Sequence, residues 1–126
     1  MSTEEYYVFR ATEEEARLVG GGLRVFAQTS LGEVIGSEDR RAHSAINSKR
    51  VDILVISAQG LPLVAIEYQG GGHYQTSAAA RDAVKKEALR KAGVEYVEVA
   101  EKHSNEERRA IIRNALLRAN QTSISK

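Results

Sequence analysis

Two carboxylates and one amide interrupt the most apolar part of this 126-residue sequence. Asp52 lies in the β-branched run of residues 51–57, and Glu67 and Gln69 lie in the second run, residues 63–69. Runs that are apolar at almost every position are typical of central strands covered on both faces. Because polar groups are costly to bury without partners, their presence here indicates a functional site.

The two runs are predicted to form a β-hairpin, since residues 58–61 between them have turn chemistry. A turn centred on residues 59 and 60 places Asp52 directly opposite Glu67, and places Gln69 on the same face. Opposed Cβ atoms lie about 5 Å apart, and two buried carboxylates that close cannot both ionise at neutral pH without a cation. A turn one residue longer would move Asp52 to the other face.

A hard divalent cation would remove this repulsion. Mg²⁺ typically takes one or two carboxylates and keeps several waters, so we expect the carboxyl groups of Asp52 and Glu67 within about 6 Å of each other. The structural alternative is that Asp52 lies in solvent at a strand end and that Glu67 pairs with a lysine. For three polar residues together in apolar strands, the metal site is the favoured interpretation.

The surrounding pattern predicts a single small α/β domain, with a sheet covered by helices. Thr12 with Glu15 has capping-box spacing and predicts a helix over 13–19, which the glycines at 20–22 end. Ser30 with Glu33 repeats that spacing, and residues 36–48 are polar without a clear pattern. The remaining predicted elements are a strand over 23–28, a helix from 76 or 77 to about 92, a strand over 94–99, and a helix from Ser104 and Glu107 to about 119.

Composition excludes several classes of protein. The absence of cysteine excludes a disulfide framework, thiolate zinc sites and a cysteine nucleophile. No apolar run approaches the roughly 20 residues that cross a bilayer, and the acidic N-terminus is unlike a signal peptide, so we expect a cytoplasmic protein with no membrane partner. The net charge of +1 conceals basic clusters at residues 40–50 and 81–91, which can attract phosphate, although such runs are commonly solvated faces.

Two basic residues are predicted to face the sheet. In the helix that begins near residue 77, Arg81 and Lys85 share an arc with Ala88 and Leu89. Their stems can pack while their charged ends reach the carboxylates or a phosphate, or they can extend to solvent. Lys49, just before Asp52, is a second candidate cation.

The string Asp52, fourteen intervening residues, then Glu67-Tyr68-Gln69 resembles the PD-(D/E)XK nuclease signature, with Gln69 at the usual lysine position. A longer string resembles an uncharacterised bacterial domain family placed among restriction-endonuclease-like folds, near the very-short-patch-repair nucleases. It covers about residues 23–99 and consists of the segments 25–33, 46–52, 65–67, 73–74, 81–82 and 85–89.

The resemblance implies a restriction-endonuclease-like mixed sheet flanked by helices, and a metal-dependent phosphodiesterase site at the hairpin. By position, Asp52 and Glu67 would hold Mg²⁺ or Mn²⁺, with Glu33 as an accessory acid. Gln69 departs from the pattern, because glutamine can orient a water but cannot take a proton or supply positive charge. Lys85 is the candidate that would supply this charge in the catalytic set.

We therefore expect a divalent-metal-dependent DNA endonuclease, formed by residues 23–126 after an acidic helical extension over 1–22. The alternative is a non-catalytic module of the same fold that binds nucleic acid or a protein. A second copy of the chain or another protein is a candidate partner in either case. The residues expected to contact DNA are Lys49, Arg50, His73, Tyr74, Arg81 and Lys86.

Overall fold

The computed structural model describes the backbone of residues 2–30, 50–70 and 76–125, and the side chains of these residues except 76–82 and 122–125. The described elements are a helix, three strands, a helix, a strand and a helix, which together make a small α/β domain. In chain order they are α1 (Thr3–Val19), β1 (Arg24–Ser30), β2 (Arg50–Ile56), β3 (Pro62–Gln69), α2 (Thr76–Lys91), β4 (Glu95–Ala100) and α3 (Asn105–Ser125).

The four described strands form one mixed sheet in the order β1-β2-β3-β4. β2 is antiparallel to both β1 and β3, and β4 runs parallel to β3 after the crossover through α2. The predicted fold, a small α/β sheet flanked by helices, is confirmed. The strands that carry Asp52 and Glu67 are the two central ones, as their apolar composition predicts.

The predicted register of the hairpin is confirmed in the middle of the two strands, on which the site depends, and is wrong next to the turn. Leu54 pairs with Ala65, as a turn centred on residues 59 and 60 requires. A bulge after Val55 then pairs Ile56 with Pro62, although the symmetric turn places Ser57 there. The reason is that Ser57 closes the turn instead of extending the strand: its Oγ accepts the N–H groups of Gln59 and Leu61 at 3.2 and 3.1 Å.

Helix α1 begins ten residues before the predicted start at residue 13. Ser2 is its N-cap, and its Oγ accepts the Glu5 N–H at 3.1 Å. Thr12 is not a cap; it is buried inside the helix and donates its hydroxyl to the Val8 carbonyl at 2.8 Å. Capping-box spacing did not locate the start because a threonine can satisfy its hydroxyl within a helix as well as at its end. The predicted end is confirmed, since Gly20 is the C-cap.

The later helices and strands follow the prediction closely. Helix α2 ends at Lys91, before Gly93, and β1 and β4 begin within one residue of their predicted starts. At the start of α3, Ser104 and Glu107 exchange the two reciprocal hydrogen bonds of a capping box, at 2.9 and 3.1 Å. This helix continues to Ser125, past the predicted end near 119. The described helices include none that is long and apolar enough to cross a membrane.

Each face of the sheet covers a separate apolar cluster. On one face α1 and α3 enclose the larger cluster, which includes Val8, Ile53 and Leu116. On the other face α2 covers a smaller cluster around Leu89, which packs with Leu54, Ala65, Val51 and Val94. Since Val8 and Ala16 belong to the larger cluster, α1 packs as part of the core; the domain boundary predicted at residue 22 stays a prediction.

Candidate metal and phosphate site

Asp52 and Glu67 are held side by side by reciprocal bonds between their two strands. The backbone N–H of Asp52 donates to Glu67 Oε2 at 3.2 Å. The backbone N–H of Tyr68 donates to Asp52 Oδ2 at 3.0 Å. Each carboxylate therefore accepts a main-chain donor from the opposite strand, which fixes one oxygen of each acid in place. The register brings the pair together as the sequence predicts.

The Glu67 carboxyl group is buried and carries an unusual charge environment. The residue is only 3% exposed. Burial, reinforced by the hydrogen bond to the Asp52 carboxyl group and by its negative charge, raises the pKa of Glu67 to about 8, against the opposing effect of Lys85. At neutral pH this pair binds a proton more tightly than ordinary carboxylates do. It is an environment in which an added cation would be stabilised.

Lys85 of α2 supplies one positive charge to the pair. Its Nζ lies 2.6 Å from Glu67 Oε1, and the two side chains are 15% and 4% exposed. Lys85 faces the sheet, and of the two outcomes that the sequence left open, contact with a carboxylate or extension to solvent, the structure shows the first. The contact also fulfils the structural alternative for Glu67, a lysine pair. Leu89, one turn later and fully buried, holds this face of α2 against the strands.

The first turn of α1 brings a third acid toward the pair. Glu5 Oε2 accepts the side-chain amide of Gln28 at 3.2 Å. Burial and, next in size, the negative charge of Asp52 raise the pKa of Glu5. Gln28 itself lies opposite Asp52, between the pairs Ala27–Ile53 and Thr29–Val51, and has a left-handed φ of 54°. That conformation is uncommon for a residue with a side chain and is often found at functional sites.

Arg108 of α3 connects the same turn of α1 to the end of β4. It is 8% exposed and donates to Glu4 Oε2 and to the carbonyls of Ala100 and Glu101, each at 3.3 Å. Its guanidinium carbon lies 5.6 Å from the centre of the Tyr68 ring. Glu4 thus connects the turn to the end of β4, while Glu5 connects it to β1.

Sequence reasoning missed Glu5, Gln28 and Arg108. The only signal for Glu5 is the helical spacing of Val8, Thr12 and Ala16, which extends α1 back toward the N-terminus. Nothing in the sequence indicates the left-handed conformation of Gln28 or the packing of Arg108 against an element about a hundred residues away.

The other predicted site residues fall into four groups. Gln69 is the last residue of β3, half-buried, and its carbonyl accepts the Glu101 N–H at 3.1 Å. Arg50 is exposed at the start of β2, and Lys86 is exposed with its Nζ 5.7 Å from the centre of the Tyr96 ring. Arg81 lies in α2, with its side chain outside the described residues. The residues that lie wholly outside the described ranges are Glu33, Lys49, His73 and Tyr74.

The donors fit a hard divalent cation of the Mg²⁺ or Mn²⁺ type. Asp52 and Glu67 are two carboxylates fixed side by side, and such ions accept one or two carboxylates with waters completing the shell. Within residues 2–30, 50–70 and 83–121, no three acidic or histidine side chains are close enough to form a larger metal cluster. The described part of the chain therefore offers a two-carboxylate site, with Glu5 nearby as an additional negative charge.

A groove of about 430 Å³ lies elsewhere, between α1 and α3. Its charged residues are already paired, Glu14 with Arg109 at 2.7 Å and Glu4 with Arg108. Neither Asp52 nor Glu67 lines it. The charges of this groove form ion pairs between the two helices, whereas the carboxyl pair places two acids side by side.

A family model described as "Protein of unknown function (DUF2726)" matches residues 1–118, from α1 through most of α3. The chain belongs to this family. It is 50% identical over 98 residues to an uncharacterised protein of Haemophilus influenzae, covering 78% of this chain and 52% of that protein. It is 52% identical over 93 residues to an uncharacterised protein of Sinorhizobium fredii, covering 71% and 67% respectively.

This member of the family thus spans about half to two-thirds of the curated relatives that it matches. No solved structure matches it significantly. Because the family match begins at residue 1, it includes Glu5 and α1 together with Asp52, Glu67 and Lys85.

Proposed function

We propose that this chain is a divalent-metal-dependent DNA endonuclease, in which Asp52 and Glu67 hold Mg²⁺ or Mn²⁺. The observation that carries the proposal is the triad of Asp52, Glu67 and Lys85. It consists of two carboxylates on the central strands and the ammonium group of a helical lysine that contacts one of them. The resemblance to the PD-(D/E)XK signature supports the same assignment. A bound metal ion would act as a Lewis acid that stabilises charge developing on a phosphate.

Other residues of the chain would supply positive charge, orient a water molecule and contact the DNA. Lys85 provides the positive charge that Gln69, at the usual lysine position, cannot supply. Gln69 can orient a water through its amide, and Glu5 adds negative charge beside Asp52. Exposed Arg50 and Lys86 would contact the DNA backbone. The proposed contacts with DNA also include Lys49, His73, Tyr74 and Arg81, with Glu33 as accessory acid.

The test is cleavage of supercoiled plasmid and of single-stranded DNA with Mg²⁺ or Mn²⁺, by wild type and Asp52→Asn. We expect the wild type to cut and Asp52→Asn to lose at least about 100-fold, because metal-ion catalysis supplies several kcal/mol of transition-state stabilisation. Glu106→Gln is the matched control, since Glu106 is an exposed acid in the first turn of α3, the helix that packs on the opposite face of the sheet. It should retain wild-type activity.

A second function is favoured by one observation, that Glu67 already has a cationic partner in Lys85 without any metal. A chain whose carboxyl pair is neutralised internally can serve as a non-catalytic module that binds nucleic acid or a protein. Folded wild type that binds fluorescent DNA but leaves every substrate intact with both metals would overturn the nuclease proposal and support this module.

A further inference from the structure

We propose that Lys85 competes with a divalent cation for Glu67, so that a divalent cation and a phosphodiester anion bind this site cooperatively. The inference rests on the metal site of the proposed function, and it adds a coupling between two ligands. It depends on which carboxylate oxygens are occupied and on what Lys85 would contact once displaced.

The oxygens of Glu67 are both occupied. Oε2 accepts the N–H of Asp52 at 3.2 Å, and Oε1 accepts Lys85 Nζ at 2.6 Å. The N–H bond belongs to the strand backbone and is fixed by the register. The ion pair depends on a flexible side chain, so Oε1 is the oxygen that a metal ion can take. Each carboxylate oxygen has two lone pairs, so valence alone does not exclude a metal ion from Oε1. A metal ion there would lie within a few Å of the Lys85 ammonium group, and the repulsion between the two cations would displace the lysine.

Once displaced from Glu67, the Lys85 ammonium group would lack a negatively charged partner. Its side chain is only 15% exposed, and an ammonium group so buried is costly without a negative partner. Within the described part of the chain, Glu67 is the one acid that forms an ion pair with Lys85. Leu89, fully buried on the same helix, limits how far α2 can move away.

An anion beside the metal ion would satisfy the displaced lysine. A phosphodiester carries one negative charge with oxygens that can contact a cation and an ammonium group at the same time. Binding the metal ion alone costs the Lys85–Glu67 pair, whereas binding both ligands replaces that pair with a new one. Because coupling free energies are reciprocal, each ligand must then raise the affinity of the site for the other, typically 5- to 150-fold.

The experiment is calorimetric titration of Mn²⁺ into wild type, alone and with a saturating thymidine dinucleotide that contains one phosphodiester. The same dinucleotide with an uncharged methylphosphonate link is the ligand control. We expect the phosphodiester to strengthen Mn²⁺ binding about tenfold and the methylphosphonate to leave it unchanged. Equal Mn²⁺ affinity with either dinucleotide would contradict the coupling.

Lys85→Met tests the residue itself. Methionine keeps an unbranched apolar stem but cannot compete for Glu67, so this variant should bind Mn²⁺ more tightly than wild type without any dinucleotide, and should lose the coupling. Lys91→Met, on the exposed end of the same helix, should behave as wild type. Lys85→Gln is a second variant that keeps a hydrogen-bond donor without charge, in case the methionine variant does not fold. Weaker or unchanged Mn²⁺ affinity in the folded Lys85 variants would overturn the competition.

The result separates this inference from the proposed function. Coupled binding that is lost in Lys85→Met, in a protein that cuts no DNA, would retain the inference and overturn the nuclease. Cleavage with uncoupled Mn²⁺ binding would do the reverse. The absence of Mn²⁺ binding by wild type and both Lys85 variants would overturn both.

Discussion

Two buried glutamates on opposite faces of the sheet have opposite surroundings. Glu15 of α1 is 1% exposed, accepts a hydrogen bond from Arg113 of α3 at 2.8 Å, and forms an ion pair with Arg109 of the same helix at 3.7 Å. Glu67 is nearly as buried but has one lysine and an adjoining carboxyl group, that of Asp52. The first arrangement surrounds a negative charge with positive ones, as a structural ion pair does. The second places two acids together beside a single lysine, and the pKa of Glu67 is raised.

The difference teaches that burial of an acid does not by itself indicate function. What distinguishes Glu67 is a neighbour of the same sign, which stability alone would not select. The two glutamates therefore serve as controls for each other, and substitutions at both test whether the distinction is real.

The largest expected difference is in cleavage of DNA. Glu67→Gln should lose about 1000-fold or more of metal-dependent cleavage, because it removes one of two charged metal ligands. Glu15→Gln, on the opposite face, should keep activity within about twofold at a temperature where both variants are folded. The measurement is the rate of plasmid nicking with Mg²⁺. Similar losses of activity in both variants would contradict the different roles assigned to Glu67 and Glu15.

The partner of Glu67 gives the next largest effect. Lys85→Met should lower cleavage about 100-fold, since a cation beside developing charge in a water-poor site is worth a few kcal/mol. Gln69→Lys in that background should restore part of the loss, by supplying a cation from the neighbouring end of β3.

Gln69→Lys with Asp52→Ala is the control for that rescue, because the added lysine can act only beside a bound ion. Cleavage by this double variant would indicate a different site or a contaminating nuclease.

The pH dependence of stability should also differ between wild type and Glu67→Gln. The folded-state pKa of Glu67, about 8, lies above its ordinary value of 4.5, so the folded protein binds this proton more tightly than the unfolded chain does. The resulting stabilisation is fully present below about pH 4.5 and is lost as the pH rises through 8. In urea unfolding with EDTA, the stability of wild type relative to Glu67→Gln should fall steadily as the pH rises from 5 to 8, because the folded protein still holds this proton while the unfolded chain has released it. A difference that does not change with pH would contradict the raised pKa of Glu67.

The smallest effect concerns the structural glutamate. Glu15→Gln should lower the free energy of unfolding by about 1–2 kcal/mol, because it weakens two charge-assisted contacts whose arginines remain partly solvated. Glu13→Gln is the matched control, as Glu13 and its partner Arg10 are both well exposed, and should change stability by less than about 0.5 kcal/mol. Equal losses would mean that burial of Glu15 adds nothing to its ion pairs.

The parts of the site that the sequence predicts are those fixed by short-range periodicity. The alternation along β2 and β3 places Asp52 beside Glu67, and the helical spacing of Lys85 and Leu89 turns the lysine toward the sheet. These patterns determine direction within one element, and neighbouring strands in a hairpin have few alternative registers.

The parts that the sequence does not predict depend on contacts between distant segments. Glu5 approaches Asp52 only because α1 starts at Thr3, whereas the spacing of Thr12 and Glu15 indicated a later start. Arg108 reaches Glu4 across 104 positions, and no local pattern records such a pairing. The roles predicted for Glu33, Lys49, His73, Tyr74 and the Arg81 side chain stay predictions, since they lie outside the described residues.

The contact between α1 and α3 also has a consequence for biosynthesis. Helix α1 leaves the ribosome before α3, and it completes its packing only against α3, through Val8 and Ala16 on one side and Ile112 and Leu116 on the other. Until α3 has emerged, the nascent chain exposes the apolar residues of α1 that α3 later covers. Exposed apolar surface of this kind is what chaperones and proteases recognise. We expect stalled chains that end before residue 112 to remain protease-sensitive, even though the hairpin carrying both carboxylates is already complete.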